Sequence, residues 1–334
     1  MLSTPWSSSL NLRTPIINAP MGGVAGGKLA AAVSIAGGLG MIGAGTAGSV
    51  ELIERESAIP RQARQPFGIG LLGWAVDQEP LLLDAALDAQ PILISLGFAD
   101  VSPWVQRVHD AGILLATQVY DAQGARDAQT AGVDVIIARG GEGGGHGLNN
   151  VATLPLLQAV LEEVAIPVLA AGGIGSARGL AAVLAAGASG AWIGTAFLLC
   201  PEALTPAATH SRIIGANETD TVYTRSIDAA MGFPWPTQFG ERVLRNRFTE
   251  RWSGDEESLI EDVRARTALS RARDEGDFDL AEIDAGQGVG LLSSTRNAEE
   301  IVQSFTDGAA DLLGRWAANS PARPENDAGG AATA

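Results

Sequence analysis

The chain has 334 residues, 46% of them hydrophobic, enough for a sizeable core in one large domain or two. Its formal charge of −16 excludes the basic footprint that a phosphate backbone requires, so nucleic acid is not an expected partner. One cysteine, Cys200, excludes an internal disulfide framework and points to a reducing, cytoplasmic setting; no basic n-region precedes an apolar stretch, and no run has the length of a membrane span.

From the start to about residue 200, short apolar runs alternate with helix-like stretches. The predicted strands are 16–19, 40–43, 67–71, 92–95, 113–118, 134–138, 167–170 and 190–193. Runs of this length bounded by Gly or Pro read as strands buried on both faces. Predicted helices fill the gaps at 27–36, 49–58, 79–89, 102–111, 121–131, 153–163 and 176–186. The pairs Ala36-Gly37, Ala111-Gly112, Ala131-Gly132 and Ala186-Gly187 each close a helical pattern just before an apolar run. A glycine there takes the left-handed conformation that caps the last carbonyls. Repetition of that joint predicts a βα unit used eight times, an α/β fold of the (β/α)8 TIM-barrel type with its site at the C-terminal ends of the strands. A doubly wound open sheet is the competing architecture. It would carry G-x-G-x-x-G between the first strand and its helix, and here Gly38, Gly40, Gly43 and Gly45 precede and line a strand instead.

The expected organisation is a barrel core over 1–204, a small helical insertion over 205–286, a closing segment and last barrel helix over 287–320, and a disordered tail over 321–334. Within the insertion, helical patterns fall at 239–252 and 256–274. The last amphipathic helix is predicted over about 297–317.

The most informative stretch follows the sixth predicted strand. Residues 138–147 read Ala-Arg-Gly-Gly-Glu-Gly-Gly-Gly-His-Gly, with one acid, Glu142, and one imidazole, His146. Glycines allow close backbone approach and positive φ, and imidazole is the side chain best poised to move a proton near neutral pH. The plain alternative is a flexible surface loop with a stray histidine. Lys28 is the single lysine and lies in a Gly-rich turn, which leaves Schiff-base chemistry no strand-borne amine. Three dispersed histidines and one cysteine show no metal-ligand spacing, so no metal is expected.

Barrel phosphate sites are commonly built after strands seven and eight. Strand seven runs into Ala171-Gly172-Gly173-Ile174 and strand eight into Gly194-Thr195. Both offer backbone N–H groups at a helix start, an anion site by geometry and dipole, or else simple tight turns. Strand one runs into Ala19-Pro20-Met21, which would bring backbone to the barrel mouth, with Met21 as wall or as core filler.

These pieces together, with Ala285-Gly286-Gln287-Gly288-Val289-Gly290 near the end, resemble the nitronate monooxygenases, formerly 2-nitropropane dioxygenases, over nearly the whole barrel and the insertion. The resemblance implies FMN at the barrel mouth. Its phosphate would contact Gly173, Gly194 and Thr195, the main chain at Ala19, Pro20 and Met21 would lie against its ring, and Gly145, Ala171 and Gly172 would also bind the cofactor. Gln287 would hydrogen-bond it, and His146 would act as base on the substrate side. It implies oxidation of a small nitro compound, as nitronate or nitroalkane, by O2 to a carbonyl compound and nitrite. Arg139 stands where the family often has Gln, and Gly70 where it often has Asn. Arg139 is a candidate substrate contact with Glu142, or the two form an ion pair. An FMN-dependent NAD(P)H enoyl-thioester reductase of the same superfamily shares the loop and is the alternative reading. A non-redox phosphosugar isomerase or lyase would use the same phosphate loops.

Overall fold

The computed structural model describes residues 2–319. The predicted tail over 321–334 lies outside the described residues. Eleven strands are present among them: β1 (Ile16–Asn18), β2 (Gly40–Gly43), β3 (Phe67–Leu72), β4 (Leu93–Gly97), β5 (Leu114–Val119), β6 (Val135–Arg139), β7 (Gly145–Gly147), β8 (Val168–Ala171), β9 (Gly190–Ile193), β10 (Thr221–Thr224) and β11 (Gly240–Leu244).

Eight of these form one all-parallel sheet in the order β1-β9-β8-β6-β5-β4-β3-β2. The two end strands meet. An Ile17–Leu39 bridge joins the β1 edge to the start of β2. The Asn18 carboxamide continues the seam, accepting from Met41 N–H at 2.9 Å and donating to Met41 carbonyl at 3.0 Å. A fully buried amide thereby replaces missing ladder bonds, and the (β/α)8 barrel is closed.

Every predicted barrel strand is present within a residue or two. The physical reason is visible in the two cores. Ile17, Met41, Leu93, Val135, Ile137 and Leu169 point to one apolar cluster inside the sheet, which Trp6 and Leu12 of the preceding segment also join. Their alternates, such as Ile16, Ile42, Ile94 and Ile136, pack with the surrounding helices. Both faces are apolar, so each strand reads as a continuous hydrophobic run. The four helix-closing glycines, Gly37, Gly112, Gly132 and Gly187, have φ of 106°, 72°, 95° and 105°.

The insertion differs from the expectation of helices alone. It carries a three-stranded antiparallel sheet, β10-β11-β7, whose third strand comes from the loop after β6. The helix predicted over 239–252 is strand β11 followed by a shorter helix, Arg247–Trp252, which Asn246 opens with a capping box. The stretch Gly240–Leu244 has no strong period of its own. Pairing on both sides with β10 and β7 decides its conformation. The pattern over 256–274 splits into Glu256–Glu261 and Val263–Glu275, because Asp262 caps the second helix by accepting from Ala265 N–H. The insertion has its own small core of Ile227, Phe248, Trp252, Leu259 and Leu269. The last helix, Ala298–Asn319, places Ile301, Val302, Phe305 and Ala309 in the outer barrel core. Among the described residues no helix is long and apolar enough to cross a membrane.

Candidate active site

A cavity of about 480 Å³ opens at the C-terminal ends of the barrel strands, within the range of small-molecule sites, about 300–1,000 Å³. Its walls include Ala19, Pro20 and Met21 after β1, Ala171, Gly172 and Gly173 after β8, and Gly194 and Thr195 after β9. Pro20 packs so closely on β3 that a Cβ at position 70 would lie 2.4 Å from its ring, which accounts for Gly70. Met21 serves both roles expected of it: it lines the cavity and packs against the barrel core.

The Gly-rich loop is held from beneath. Arg139, 5% exposed, donates to the carbonyls of Gly143, Gly144, Gly145 and Leu148 at 3.0–3.2 Å. Arg242 donates to Gly141 carbonyl at 2.8 Å from the opposite side. Burial costs these guanidinium groups hydration, and the loop carbonyls replace it. Glu142 accepts from Thr153 N–H and Thr153 Oγ1, both at 2.8 Å. It thereby caps the helix Thr153–Leu161, whose own N-cap, Ala152, has no side chain able to do so. Arg139 also lines the cavity, where a substrate contact is expected of it, whereas Glu142 stands outside the wall. Both side chains hold the loop, and they do so separately, with no ion pair between them.

Gln287 stands outside the wall. Its side chain is exposed and lies off the cavity wall, where Gly288 stands instead. Its N–H donates to Glu142 carbonyl at 2.9 Å, and the neighbouring Gly286 N–H donates to Thr195 Oγ1 at 2.9 Å. The closing segment is thus fastened to both the Gly-rich loop and the turn after the last barrel strand. The contact is tight: a Cβ at Gly144 would sit 2.6 Å from Gly286 N. Some of the loop's glycine content therefore answers to protein packing and not to a ligand.

His146 sits in β7 and pairs directly with Glu241 of β11. Its ring stacks on Trp235, 3.6 Å between centroids and 6° from parallel. Its Nε2 is 3.0 Å from Asp228 Oδ2, in the helix Ser226–Met231. An ionised carboxylate only accepts, so Nε2 carries the hydrogen and Nδ1 presents the lone pair. Nδ1 makes no hydrogen bond with a described residue. Asp228, Trp235 and Glu241 all come from the insertion, and no local pattern marks them.

Acid groups crowd this half of the cavity. Glu241 is 3% exposed, and its Oε1 has no hydrogen-bond partner among the described residues. Burial pushes its carboxyl well above the usual range, and Asp284, Asp228 and Glu282 push the same way. Asp284 faces the open cavity but is otherwise enclosed; enclosure raises its carboxyl to about 6, with His146 opposing and Glu282 and Asp228 adding to the rise. Glu282 pairs with Arg273 at 3.0 Å. Folding also brings donor atoms of His146, Asp228 and Glu241 within 4.8 Å of one another. Their types suit a divalent cation, a grouping that sequence spacing did not reveal. The His146–Asp228 hydrogen bond already engages two of the three.

The nitronate monooxygenase family profile matches residues 4–82 and 77–308. A Mycobacterium tuberculosis protein named (3aS,4S,5R,7aS)-5-hydroxy-7a-methyl-1-oxo-octahydro-1H-indene-4-carboxyl-CoA dehydrogenase is 34% identical over 83% of this chain and 74% of its own length. The nitronate monooxygenase of Paraburkholderia phytofirmans is 30% identical over 88% and 92%. FabK from Thermotoga maritima superposes with a TM-score of 0.83 at 29% identity, covering 95% of this chain and 99% of that one. With the barrel and its mouth, these likenesses define a flavin-dependent oxidoreductase. The chain belongs to the nitronate monooxygenase family.

Proposed function

We propose that the chain binds FMN and oxidises small nitro compounds, as alkyl nitronates or as nitroalkanes that it first deprotonates, to a carbonyl compound and nitrite at the expense of O2. The observation that carries the chemistry is the His146–Asp228 pair in the cavity wall: a buried carboxylate fixes the imidazole in the form that accepts a proton at Nδ1. Trp235 holds the ring plane by stacking.

The residues present fit FMN. Gly172 and Gly173 have φ of 108° and 68°, a turn that a side chain would strain, directly before the helix Ala177–Ala185. The N-cap of that helix, Ser176, makes no side-chain cap bond, which leaves its positive end to an anion. A phosphate there would be held by Gly172, Gly173, Gly194 and Thr195, and the ring would lie along Ala19, Pro20 and Met21. When bound, FMN supplies the electron acceptor and the route to O2. The chain's own residues do the rest. His146 takes the substrate proton, Asp228 offsets the charge that arrives on the ring, and the aromatic wall of Trp235 and Phe98, backed by Phe239, limits water.

A second reading is supported by the 34% identical dehydrogenase, named for a carboxyl-CoA substrate, and by the likeness to FabK. In it the same His146 would exchange a proton with a thioester-activated carbon. Anaerobic mixing with propionate 3-nitronate, with 2-nitropropane, and with NADH plus a 2-enoyl-CoA separates the readings. Bleaching of the flavin spectrum by the nitro compounds, with nitrite formed on admitting air, supports nitro oxidation. Bleaching by NADH alone, with loss of the enoyl double bond, supports the reductase.

A further inference from the structure

Most charges in the cavity wall are answered within the protein. Asp228 holds His146, Glu282 pairs with Arg273, and Arg139 donates to loop carbonyls. Glu241 is enclosed, and burial pushes it towards the neutral form. Asp284 differs. It stands open to the cavity, and its carboxyl makes no hydrogen bond or ion pair with a described residue. Its place is set by backbone on both sides. Leu244 N–H donates to Ile283 carbonyl at 2.8 Å and Ala285 N–H to Arg242 carbonyl at 3.3 Å, while Gly286 and Gln287 are tied to Thr195 and Glu142. The carboxyl rests beside the strand of His146: a Cβ at Gly145 would lie 3.8 Å from its Cγ. The same wall is apolar or aromatic at Phe98, Ile227 and Trp235.

A carboxylate here has given up part of its water without gaining a donor. Enclosure raises it to about 6, so it is mostly ionised at about pH 7. An ionised carboxylate only accepts, so the partner it lacks is a donor, and a molecule admitted to the cavity can bring one. We propose that Asp284 sets the substrate class: it accepts a hydrogen bond from a hydroxyl that the substrate carries near its reacting carbon, so that hydroxylated substrates are preferred to their deoxy counterparts. The inference rests on the reading of this cavity as the substrate site beside His146, and it specifies a second functional group of the molecule bound there. A hydroxyl fits the site better than an ammonium group. It brings one donor to one free carboxyl, whereas an ammonium brings three, and the neighbouring acids are already paired or neutral. A ligand with a methyl group in that position leaves the carboxylate short of both water and partner, which is the costly outcome.

Binding tests this without turnover. Three probes share a neutral, unreactive methyl sulfone head, whose two oxygens stand in for those of a nitro group. They are 2-(methylsulfonyl)ethanol, methyl propyl sulfone, in which a methyl replaces the hydroxyl, and 2-(methylsulfonyl)ethylamine, mostly a cation at about pH 7. Each is titrated at that pH into the flavin-loaded protein and followed by tryptophan fluorescence and by perturbation of the flavin spectrum. The alcohol is expected to bind at least about tenfold more tightly than methyl propyl sulfone, against the hydrophobic effect, which favours the methyl compound. Asp284→Ala should remove that preference. Asp284→Asn, which keeps an acceptor oxygen and loses the charge, should keep part of it. Flavin content and melting temperature report whether each variant is folded. Equal affinities in the unmodified protein, failure of the alcohol to bind, or a preference that survives Asp284→Ala would overturn the inference. Tighter binding of the amine than of the alcohol would overturn it in favour of a cationic ligand. If neither variant folds, the ranking of the three probes by the unmodified protein decides. If neither nitro compound is oxidised, the proposed activity fails, and the comparison of alcohol with alkyl sulfone still reads the role of Asp284.

Discussion

Asp228→Asn isolates the contribution of the dyad. The substitution keeps the shape of the side chain and removes its charge. In the folded protein the His146 and Asp228 side chains are 15% and 7% exposed and lie 3.0 Å apart, so little solvent screens the pair. A hydrogen bond to a charged group is worth about 1.5–3 kcal/mol, which corresponds to about 10–150-fold in rate when it supports the transition state of proton removal. An amide in this place can also donate to Nε2, which would move the ring hydrogen to Nδ1 and block the accepting lone pair. Turnover of 2-nitropropane should therefore fall by about 10–100-fold. Turnover of the pre-ionised nitronate should hold or improve, because it has no proton to lose and meets one carboxylate fewer. His146→Ala should widen the same gap to about 10²–10⁴-fold, the usual worth of a general base. Steady-state assays by nitrite release, with flavin content and melting temperature as controls, give the comparison. Equal losses on both substrates would mean that the pair positions substrate or loop, and the base assignment would be refuted.

Three further outcomes are expected. The protein should purify yellow and release FMN on denaturation, while Gly173→Asp, which puts a side chain at φ 68° and a negative charge at the proposed phosphate site, should leave the flavin content near zero in a folded protein. Glu142→Ala removes the cap of the helix Thr153–Leu161 and should cost about 1–2 kcal/mol in denaturant unfolding, with its effect on activity following from the loop and not from substrate binding. Asp284→Asn should stabilise the ligand-free protein above about pH 6 and leave it unchanged near pH 4. A carboxyl raised in the folded state loses stability as pH rises from its unfolded value through its folded value, so the gain belongs to the upper side of that window, and thermal melts at both ends should show it. Because this side chain faces the cavity, the gain is about 1 kcal/mol after discounting for solvent screening.

The barrel was legible in the sequence because its determinants are local. An apolar run of four to six residues, a helical period and a glycine at the turn are each read within a dozen positions, and packing on both faces rewards the same pattern. That is why the eight barrel strands fall where they were expected, as at Ile16, Val135 and Val168, each the start of an apolar run. The cavity floor followed from strand order alone, since the loops after β8 and β9 must lie side by side at one end of the barrel. Position by position, however, the structural partners of the polar residues beside the glycines were not legible. Arg139 and Glu142 looked like substrate contacts because a charged group in a glycine loop has no evident use, and only the folded loop shows four carbonyls and one helix end waiting for them. The stretch Gly240–Leu244 looked helical because a strand with partners from distant segments carries no period that outweighs a helical one. The acid half of the site was beyond sequence reading for the same reason. His146 and Asp228 are separated by 82 positions, and it is the β7–β11 pairing that seats Glu241 opposite the imidazole. Sequence determined the scaffold and the loops that line the cavity at its mouth. Tertiary pairing between a barrel loop and the insertion decided the partner of that histidine and the charge around it, because those contacts exist only once both segments have been brought to the barrel mouth.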